Sequence, residues 1–302
     1  MKSAPFSYVR PRHPEELVNE LVRAENNGGG KVIAGGQSLL PVLAMRLGRP
    51  GTLVDATGVT GFGHAARHGQ EFRVGAAVRQ RAVEKYPKHG VPLLRRAIPW
   101  IGHREIRSRG TVCGSIAHAD PSAELPAVAT CLDASIDIIG PNGPRSLPAS
   151  EFFLGAMTTA LESSEAVAAV RFPVAQPGDG FGFSEVARRH GDFALAGVAI
   201  HVNVQNSELK TATIVSFGVS DRPRRVDLAG TLNSLSSNDI NAMLDGEAYP
   251  LLSSSIEDSL PQLVTTAGDA QASREYKQHL VKVLATRELK RAIQRASAGG
   301  PS

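Results

Sequence analysis

Two glycine-containing loops, each followed by an apolar run, constrain this chain more than any other feature. The first lies in KVIAGGQSLLPVLAMRLGRP, where residues 31–34 predict a buried strand, Gly35 and Gly36 begin the loop, and a helix follows. The second lies in RGTVCGSIAHADPSAELPAV, residues 109–128, where Pro121 ends the loop before another predicted helix. Free backbone N–H groups beside a helix start favour anions. Two such loops in one chain predict a dinucleotide with its pyrophosphate between them.

Neither loop has the spacing of the common nucleotide-binding motifs. G-x-G-x-x-G and G-K-[ST] are both absent. Each loop alone is also compatible with an ordinary tight turn, so the phosphate interpretation depends on their pairing. His118 and Asp120, in AHADP, suggest acid–base chemistry or a metal ligand, but no third ligand accompanies them. Local turn hydrogen bonds are the preferred interpretation, and we predict no metal in this chain.

Composition and charge exclude several classes of protein. A chain of 302 residues with 42% hydrophobic and 21% charged residues is typical of a soluble globular protein with two or three domains. The net charge of +4 comes without a basic run, which argues against nucleic acid as a partner. No apolar stretch predicts a membrane span or a signal peptide, so we expect a cytoplasmic protein. Cys113 and Cys131 lack metal-ligand spacing, which predicts no iron–sulfur cluster in this chain.

The remaining pattern predicts an α+β fold with a boundary in the linker QPGDG, residues 176–180. N-terminal to it we predict a compact βαβ-like lobe, residues 1–57, and a second lobe, residues 58–176, with a helical stretch that breaks at Pro99 and a hairpin at PNGP. C-terminal to it, residues 177–302 should form a separate domain. Its antiparallel strands are predicted over residues 181–202 and 209–219, and its helices over residues 236–245 and 273–295.

Four ordered motifs together identify a family resemblance. They are AGGQSL, RGTVCGSIAHADPSAELP, FSEVARRHGDFALAGVAI at residues 183–200, and SREYKQHLVKVLATRELKRA at residues 273–292. In this order they resemble the FAD-binding medium subunit of molybdenum hydroxylases, the group that contains carbon monoxide dehydrogenase and xanthine dehydrogenase. The resemblance implies a two-lobed FAD-binding region of the PCMH or vanillyl-alcohol-oxidase type over residues 1–176. It also implies a C-terminal domain of the carbon monoxide dehydrogenase flavoprotein type over residues 177–302.

The resemblance implies that particular residues of this sequence contact FAD. Glu124 matches an acidic residue that contacts the ribose and adenine side, although it is also a favourable charge near a helix start. Phe193 matches a residue near the flavin ring, although core packing would explain it too. Ile101 matches an apolar residue close to that ring. Val167 matches a position that supplies a main-chain contact to the adenine end. The pyrophosphate loops correspond to Val32, Ile33, Ala34, Gly35, Gly36, Gln37 and Ser38, and to Thr111, Val112, Cys113, Gly114 and Ser115.

Two positions depart from the family pattern. Cys113 stands where the family commonly has glycine, which brings the loop geometry into question. Its thiol would lie near the cofactor or act as a small filler, and we favour the filler. Ser184 stands where xanthine dehydrogenase has a lysine, so the electronic tuning of the flavin need not match. The neighbouring polar residues Arg188, Arg189 and Asp192 are interpreted as structural salt-bridge residues.

The resemblance implies an electron-transfer subunit with no catalytic residue of its own. A large partner would carry the molybdopterin cofactor and a small partner two [2Fe–2S] clusters, with FAD in this chain passing electrons to an external acceptor. We expect two copies of such a heterotrimer. Two alternatives are a self-contained flavin-dependent oxidase or dehydrogenase with its own substrate pocket, and a nucleotide-binding module without redox function. The sequence leaves the reducing substrate open among carbon monoxide, aldehydes, purines and other N-heterocycles, and it leaves the acceptor open too.

Overall fold

A computed structural model describes residues 2–86, 88–206, 208–232 and 249–298. The chain forms two compact units. The first unit comprises Met1–His89, His103–Ala119 and Asp133–Pro173, and the second comprises Gly90–Gly102, Asp120–Leu132 and Val174–Ser302. Two short segments that precede the linker at residue 176 therefore belong to the second unit. The division into domains 1–176 and 177–302 stays a prediction.

A three-stranded parallel sheet begins the first unit and confirms the βαβ-like lobe. Its strands are β1 (Ser7–Val9), β2 (Gly30–Ile33) and β3 (Thr52–Asp55), in the order β1-β3-β2. Helix α1 (Pro14–Glu25) connects β1 to β2 and buries Leu17 and Leu21. The expectation of a buried strand at residues 31–34 was wrong, because β2 lies at the sheet edge and is only half-buried, whereas the central β3 is buried throughout.

A five-stranded antiparallel sheet completes the core of the first unit. Its order is β4 (Ala65–His68), β5 (Glu71–Gly75), β10 (Ala166–Pro173), β6 (Ser135–Gly140) and β7 (Gly143–Pro148). Phe72 and Phe172 pair across β5 and β10 and are fully buried. The predicted hairpin at PNGP joins β6 to β7. The other elements of this unit are α2 (Leu39–Ala44), the 3-10 turn Ala56–Gly58, α3 (Gln80–Lys85), α5 (Arg104–Arg109), α6 (Val112–His118), α8 (Ala149–Phe152), β8 (Phe153–Gly155) and β9 (Thr158–Thr159).

The second unit is a four-stranded antiparallel meander with helices on both faces. The strands are β11 (Asp179–Ala187), β12 (Ala194–Gln205), β13 (Glu208–Phe217) and β14 (Arg224–Asp227), in sequence order. Helices α10 (Tyr249–Leu263) and α11 (Arg274–Ser297) cover the apolar core formed by one face, which includes Val198, Ile200 and Ile214. Helices α4 (Pro92–Ala97) and α7 (Glu124–Leu132) pack against the sheet as well. A 3-10 turn, Ile98–Trp100, follows α4, and α9 (Ala229–Leu232) follows β14.

Glycines on β11 allow α11 to lie directly on the strand. A Cβ atom on Gly180 would be 1.9 Å from the carbonyl oxygen of Ala292, and one on Gly182 would be 2.7 Å from that of Glu288. The predicted terminal helix is confirmed as α11, which begins after Ser273; the Oγ of Ser273 accepts a hydrogen bond from the backbone N–H of Tyr276 at 3.3 Å. The helix predicted over residues 236–245 lies outside the described residues. None of the helices in the described part of the chain is both long and apolar enough to cross a bilayer.

Candidate functional site

The two glycine loops lie against each other within the first unit. A Cβ atom on Gly35 would be 2.4 Å from the carbonyl oxygen of Arg109 and 2.7 Å from the Cα of Gly110. A Cβ atom on Gly114 would reach within 3.9 Å of the Cβ of Ala34. Real Cβ atoms do not come within 3 Å of backbone atoms, so only glycine permits this approach at position 35. The structure therefore brings together the two stretches that the sequence paired.

The first loop turns sharply and keeps its backbone accessible. Gly36 has a φ of +73°, a left-handed conformation that favours glycine. The Nε2 of Gln37 donates a hydrogen bond to the carbonyl oxygen of Gly35 at 3.2 Å. The N–H of Leu40 donates one to the carbonyl oxygen of Gly36 at 3.0 Å. Residues 32–37 are half-buried and Ser38 is exposed. The predicted helix follows as α2, but it ends at Ala44, well before residue 50.

The second stretch was predicted to be a loop that ends at Pro121 before a helix, and the structure differs from this prediction. Helix α6 begins at Val112, so Cys113, Gly114 and Ser115 lie inside a helix. The Oγ1 of Thr111 caps it by accepting a hydrogen bond from the N–H of Gly114 at 3.0 Å. The helix ends at a left-handed residue, Ala119, which has a φ of +51°. The helix start thus lies within the TVCGS motif, and α7 begins separately at Glu124.

Cys113 buries its side chain in the core of the first unit. Its side chain is 2% exposed, and the thiol lies 3.3 Å from the carbonyl oxygen of Val74, to which it donates. Burial raises the pKa of the Cys113 thiol to about 12, so the thiol stays protonated. Cysteine adopts helical backbone angles without strain, which removes the question about loop geometry. The thiol is a small core filler.

Four further predicted positions are largely buried. Val167 belongs to the first unit and lies where the register between β10 and β6 shifts, between Val167 and Ala169. Glu124 opens α7 and is 7% exposed, while Ile101 follows the 3-10 turn after α4. Ser184 is on β11, where its Oγ accepts a hydrogen bond from the guanidinium of Arg287 at 2.8 Å. A cation from α11 therefore contacts the position at which the family comparison gave a lysine.

Phe193 is far more exposed than a core residue. Its side chain is 67% exposed, so core packing is excluded as its explanation. It lines a cavity of about 640 Å³ in the second unit, together with Arg188, Arg189 and Lys277. The Nζ of Lys277 is held by the carboxylate of Asp269 at 2.7 Å and by the carbonyl oxygen of Gly218 at 2.9 Å. The cavity thus presents an aromatic face beside groups of both charges, since Asp192 and Asp269 line it as well, and the aromatic face suits a flat ring.

The salt-bridge interpretation of the arginines beside this cavity was wrong. Arg188, Arg189 and Asp192 are exposed, and none of them forms an ion pair with a residue that the structure describes. The turn is closed instead by a backbone hydrogen bond of 3.1 Å from the N–H of Asp192 to the carbonyl oxygen of Arg189. In AHADP, the Oδ1 of Asp120 accepts a hydrogen bond from the N–H of Ser122 at 2.8 Å, as a turn residue would.

The sequence interpretation missed Glu185. This residue is only 6% exposed, and its Oε2 has no hydrogen-bond partner among the described residues. Burial, with a smaller contribution from the charge of Glu124, raises the pKa of Glu185 to about 9. The available signal was an acidic residue in FSEVA, whose other residues are apolar or small.

Comparisons with known proteins match both parts of this chain. The FAD binding domain in molybdopterin dehydrogenase matches residues 4–175, and the CO dehydrogenase flavoprotein C-terminal domain matches residues 181–292. The 6-hydroxypseudooxynicotine dehydrogenase complex subunit alpha of Paenarthrobacter nicotinovorans is 33% identical, over 98% of this chain and 97% of its own. The carbon monoxide dehydrogenase medium chain of Afipia carboxidovorans is 29% identical, over 97% of both.

A solved structure has a similar fold. Quinoline 2-oxidoreductase from Pseudomonas putida 86 superposes with a TM-score of 0.86 at 30% identity, over 98% of this chain and 99% of that chain. The match spans both units, and the resemblance inferred from the four motifs is confirmed. The chain therefore belongs to the family of molybdopterin dehydrogenase FAD-binding proteins and carries the C-terminal domain of the CO dehydrogenase flavoprotein.

Proposed function

We propose that this chain is the FAD-binding electron-transfer subunit of a molybdenum hydroxylase complex. It receives electrons from the iron–sulfur clusters of a small partner subunit and passes them through FAD to an external acceptor. A large partner with a molybdopterin cofactor oxidises the substrate. The observation that carries this proposal is the close contact of the two glycine loops in a member of this family, where a Cβ added to Gly35 would lie 2.4 Å from the carbonyl oxygen of Arg109.

The residues present fit a bound FAD. The loops leave backbone accessible to a pyrophosphate where side chains would obstruct it, and the cavity beside Phe193 offers an aromatic face to a flat ring. When bound, FAD supplies the redox chemistry, and the protein supplies position and electrostatics. We assign no catalytic residue to this chain.

Each candidate residue takes a distinct role in this proposal. Glu124 binds the nucleotide sugar, and the main chain at Val167 contacts the adenine end. Ile101 and Phe193 contact the flavin ring, while Ser184 holds the guanidinium of Arg287. The pyrophosphate is bound by the backbone of Val32, Ile33, Ala34, Gly35, Gly36, Gln37 and Ser38, and of Thr111, Val112, Cys113, Gly114 and Ser115.

The proposal extends to assembly and location. A subunit that relays electrons must keep its flavin close to the partner's cluster, so it should form a persistent complex. We propose a dimer of heterotrimers, each with a large, a medium and a small subunit, in the cytoplasm. The relative from Afipia carboxidovorans is named as the medium chain of carbon monoxide dehydrogenase, which supports assembly with chains of other sizes. Isolation from the native source as a lone chain that oxidises a substrate would contradict the proposal.

Truncation of Phe193 tests the assignment of the flavin ring. We expect Phe193→Ala to retain FAD with an affinity lowered by no more than about tenfold, because an aromatic contact contributes roughly 0.5–1.5 kcal/mol. The visible spectrum of the flavin, its reduction potential and its rate of reoxidation should all change. Phe6→Ala is the matched control, since Phe6 is also an exposed phenylalanine at 39%. A Phe193→Ala flavin with unchanged spectrum and potential would remove Phe193 from the ring site.

A further inference from the structure

The second glycine stretch pairs with the residues at the start of α3. Arg79 and Thr111 form an antiparallel bridge, and beside it the N–H of Gln80 donates a hydrogen bond to the carbonyl oxygen of Gly110 at 2.8 Å. Residues directly opposite each other in an antiparallel pair place their side chains on the same face. The side chain of Arg79 therefore lies beside that of Thr111, whose Oγ1 caps α6.

The guanidinium of Arg79 lies where the two glycine loops meet. Its Nη1 donates a hydrogen bond to the carbonyl oxygen of Arg109. A Cβ atom on Gly35, in the first loop, would collide with this same oxygen. The guanidinium thus contacts a carbonyl group of the second stretch that packs directly on the first loop. All three residues belong to the first unit.

The positive charge of Arg79 has no carboxylate partner among the residues that the structure describes. The side chain is nevertheless half-buried. Neither residues 31–38 nor residues 109–115 include an acidic residue, and their charged side chains are Lys31 and Arg109. A charged group that loses part of its hydration is normally paired with an opposite charge. The position of Arg79 therefore suits an anionic ligand.

The hydrogen bond to Arg109 does not by itself explain a charge at this position. Two contacts of Gln80 already attach α3 to the second stretch: its backbone N–H bonds to Gly110, and its Nε2 donates to the carbonyl oxygen of Thr111 at 3.4 Å. A carbonyl oxygen needs only a neutral donor. A guanidinium presents several N–H groups in one plane, a geometry that matches two phosphate oxygens, and the bond to Arg109 uses one of them.

We propose that the guanidinium of Arg79 binds the pyrophosphate of FAD at the junction of the two glycine loops. Backbone N–H groups offer partial charges, whereas the pyrophosphate of FAD carries two negative charges. A guanidinium supplies a full positive charge, and its charge-assisted hydrogen bonds are roughly twice as strong as neutral ones. This proposal rests on the proposed function, in which the backbone of these loops binds the pyrophosphate.

Three variants separate the charge of Arg79 from its hydrogen bond to Arg109. Arg79→Lys keeps a charge and a donor, Arg79→Gln keeps a donor without a charge, and Arg79→Met keeps neither. If the charge binds the pyrophosphate, Arg79→Gln and Arg79→Met should both lose roughly 10- to 100-fold in FAD affinity. Arg79→Lys should then lie between them and wild type. If Arg79 only held the loop, Arg79→Gln should bind FAD like wild type.

The experiment is FAD titration of the flavin-free full chain, followed by fluorescence, in about 0.1 M and about 1 M salt. Added ions screen a full charge, so wild type should lose more affinity at the higher salt concentration than Arg79→Gln does. Arg67→Gln is the matched control, because Arg67 is an exposed arginine of the first unit whose Nε also donates to a backbone carbonyl oxygen, that of Gly69, at 3.2 Å. It should bind FAD like wild type at both salt concentrations.

The outcomes separate this proposal from the proposed function. An Arg79→Gln chain that binds FAD as tightly as wild type, or that shows the same salt dependence as wild type, would overturn the role of Arg79. Melting of each variant without FAD reports its folding; if one of the two neutral variants does not fold, the salt dependence of the other decides. Failure of the wild-type chain to bind FAD would instead contradict the proposed function.

Discussion

Gly35→Val is expected to abolish FAD retention by this chain. The new Cβ would lie 2.4 Å from the carbonyl oxygen of Arg109, a backbone atom that cannot rotate away, so the two glycine loops would separate. We expect the affinity for FAD to fall by more than about 100-fold, because the pyrophosphate would lose contacts from both loops at once. The readout is FAD released per chain after purification, with the circular dichroism spectrum as a check on folding.

Two matched glycines serve as controls for this expectation. Gly63→Val adds the same side chain in the first unit at a position where no atom of the described residues lies within 4 Å of the new Cβ, so flavin content should not change. Gly36 and Gly61 have similar left-handed φ values, +73° and +85°, but only Gly36 is crowded, by Leu40. If Gly36→Val loses flavin and Gly61→Val does not, the loss is caused by crowding in the loop and not by backbone strain, which both variants share. Undiminished flavin in purified Gly35→Val would contradict the pyrophosphate assignment.

Gly180→Ala is expected to destabilise the second unit strongly. The added methyl would lie 1.9 Å from the carbonyl oxygen of Ala292 and 2.8 Å from the N of Ala296, so α11 must shift away from β11. Overpacking usually lowers the free energy of unfolding by about 1–3 kcal/mol. Because this methyl collides with backbone atoms, we expect a loss at or above the upper end of that range. Urea denaturation measures the change. Gly230→Ala is the control in the same unit, because no atom in the described part of the chain lies within 4 Å of its added Cβ. Unchanged stability in Gly180→Ala would show that α11 does not contact β11 this closely.

The sequence predicted the elements whose signals are local. The terminal helix α11, the hairpin at PNGP and the parallel first lobe depend on capping, turn residues and periodicity within short windows, and these predictions are confirmed. The second glycine stretch was misread because its small residues are compatible with both a loop and a helix. The cap that decides between them is a hydrogen bond of 3.0 Å between Thr111 and Gly114.

Other features of the candidate site depend on contacts distant in sequence. The guanidinium of Arg287 reaches Ser184 from 103 positions away, so no motif around Ser184 could have revealed it. The same is true of Glu185, whose pKa is raised by burial and, to a smaller extent, by the charge of Glu124. Phe193 illustrates the opposite case, because its local sequence is compatible with core packing and only its 67% exposure excludes that.

On the proposed function, electrons pass through FAD in this chain while the substrate is oxidised elsewhere. The most direct test is rapid mixing of the intact complex, assembled with the Gly35→Val chain, with the substrate that the native complex oxidises. Absorbance reports the iron–sulfur clusters, and electron paramagnetic resonance of frozen samples reports the molybdenum centre. We expect both to be reduced at the wild-type rate while electron delivery to the external acceptor is lost. Loss of substrate-driven reduction of these centres, with metals intact, would place the substrate chemistry in this chain and contradict the account.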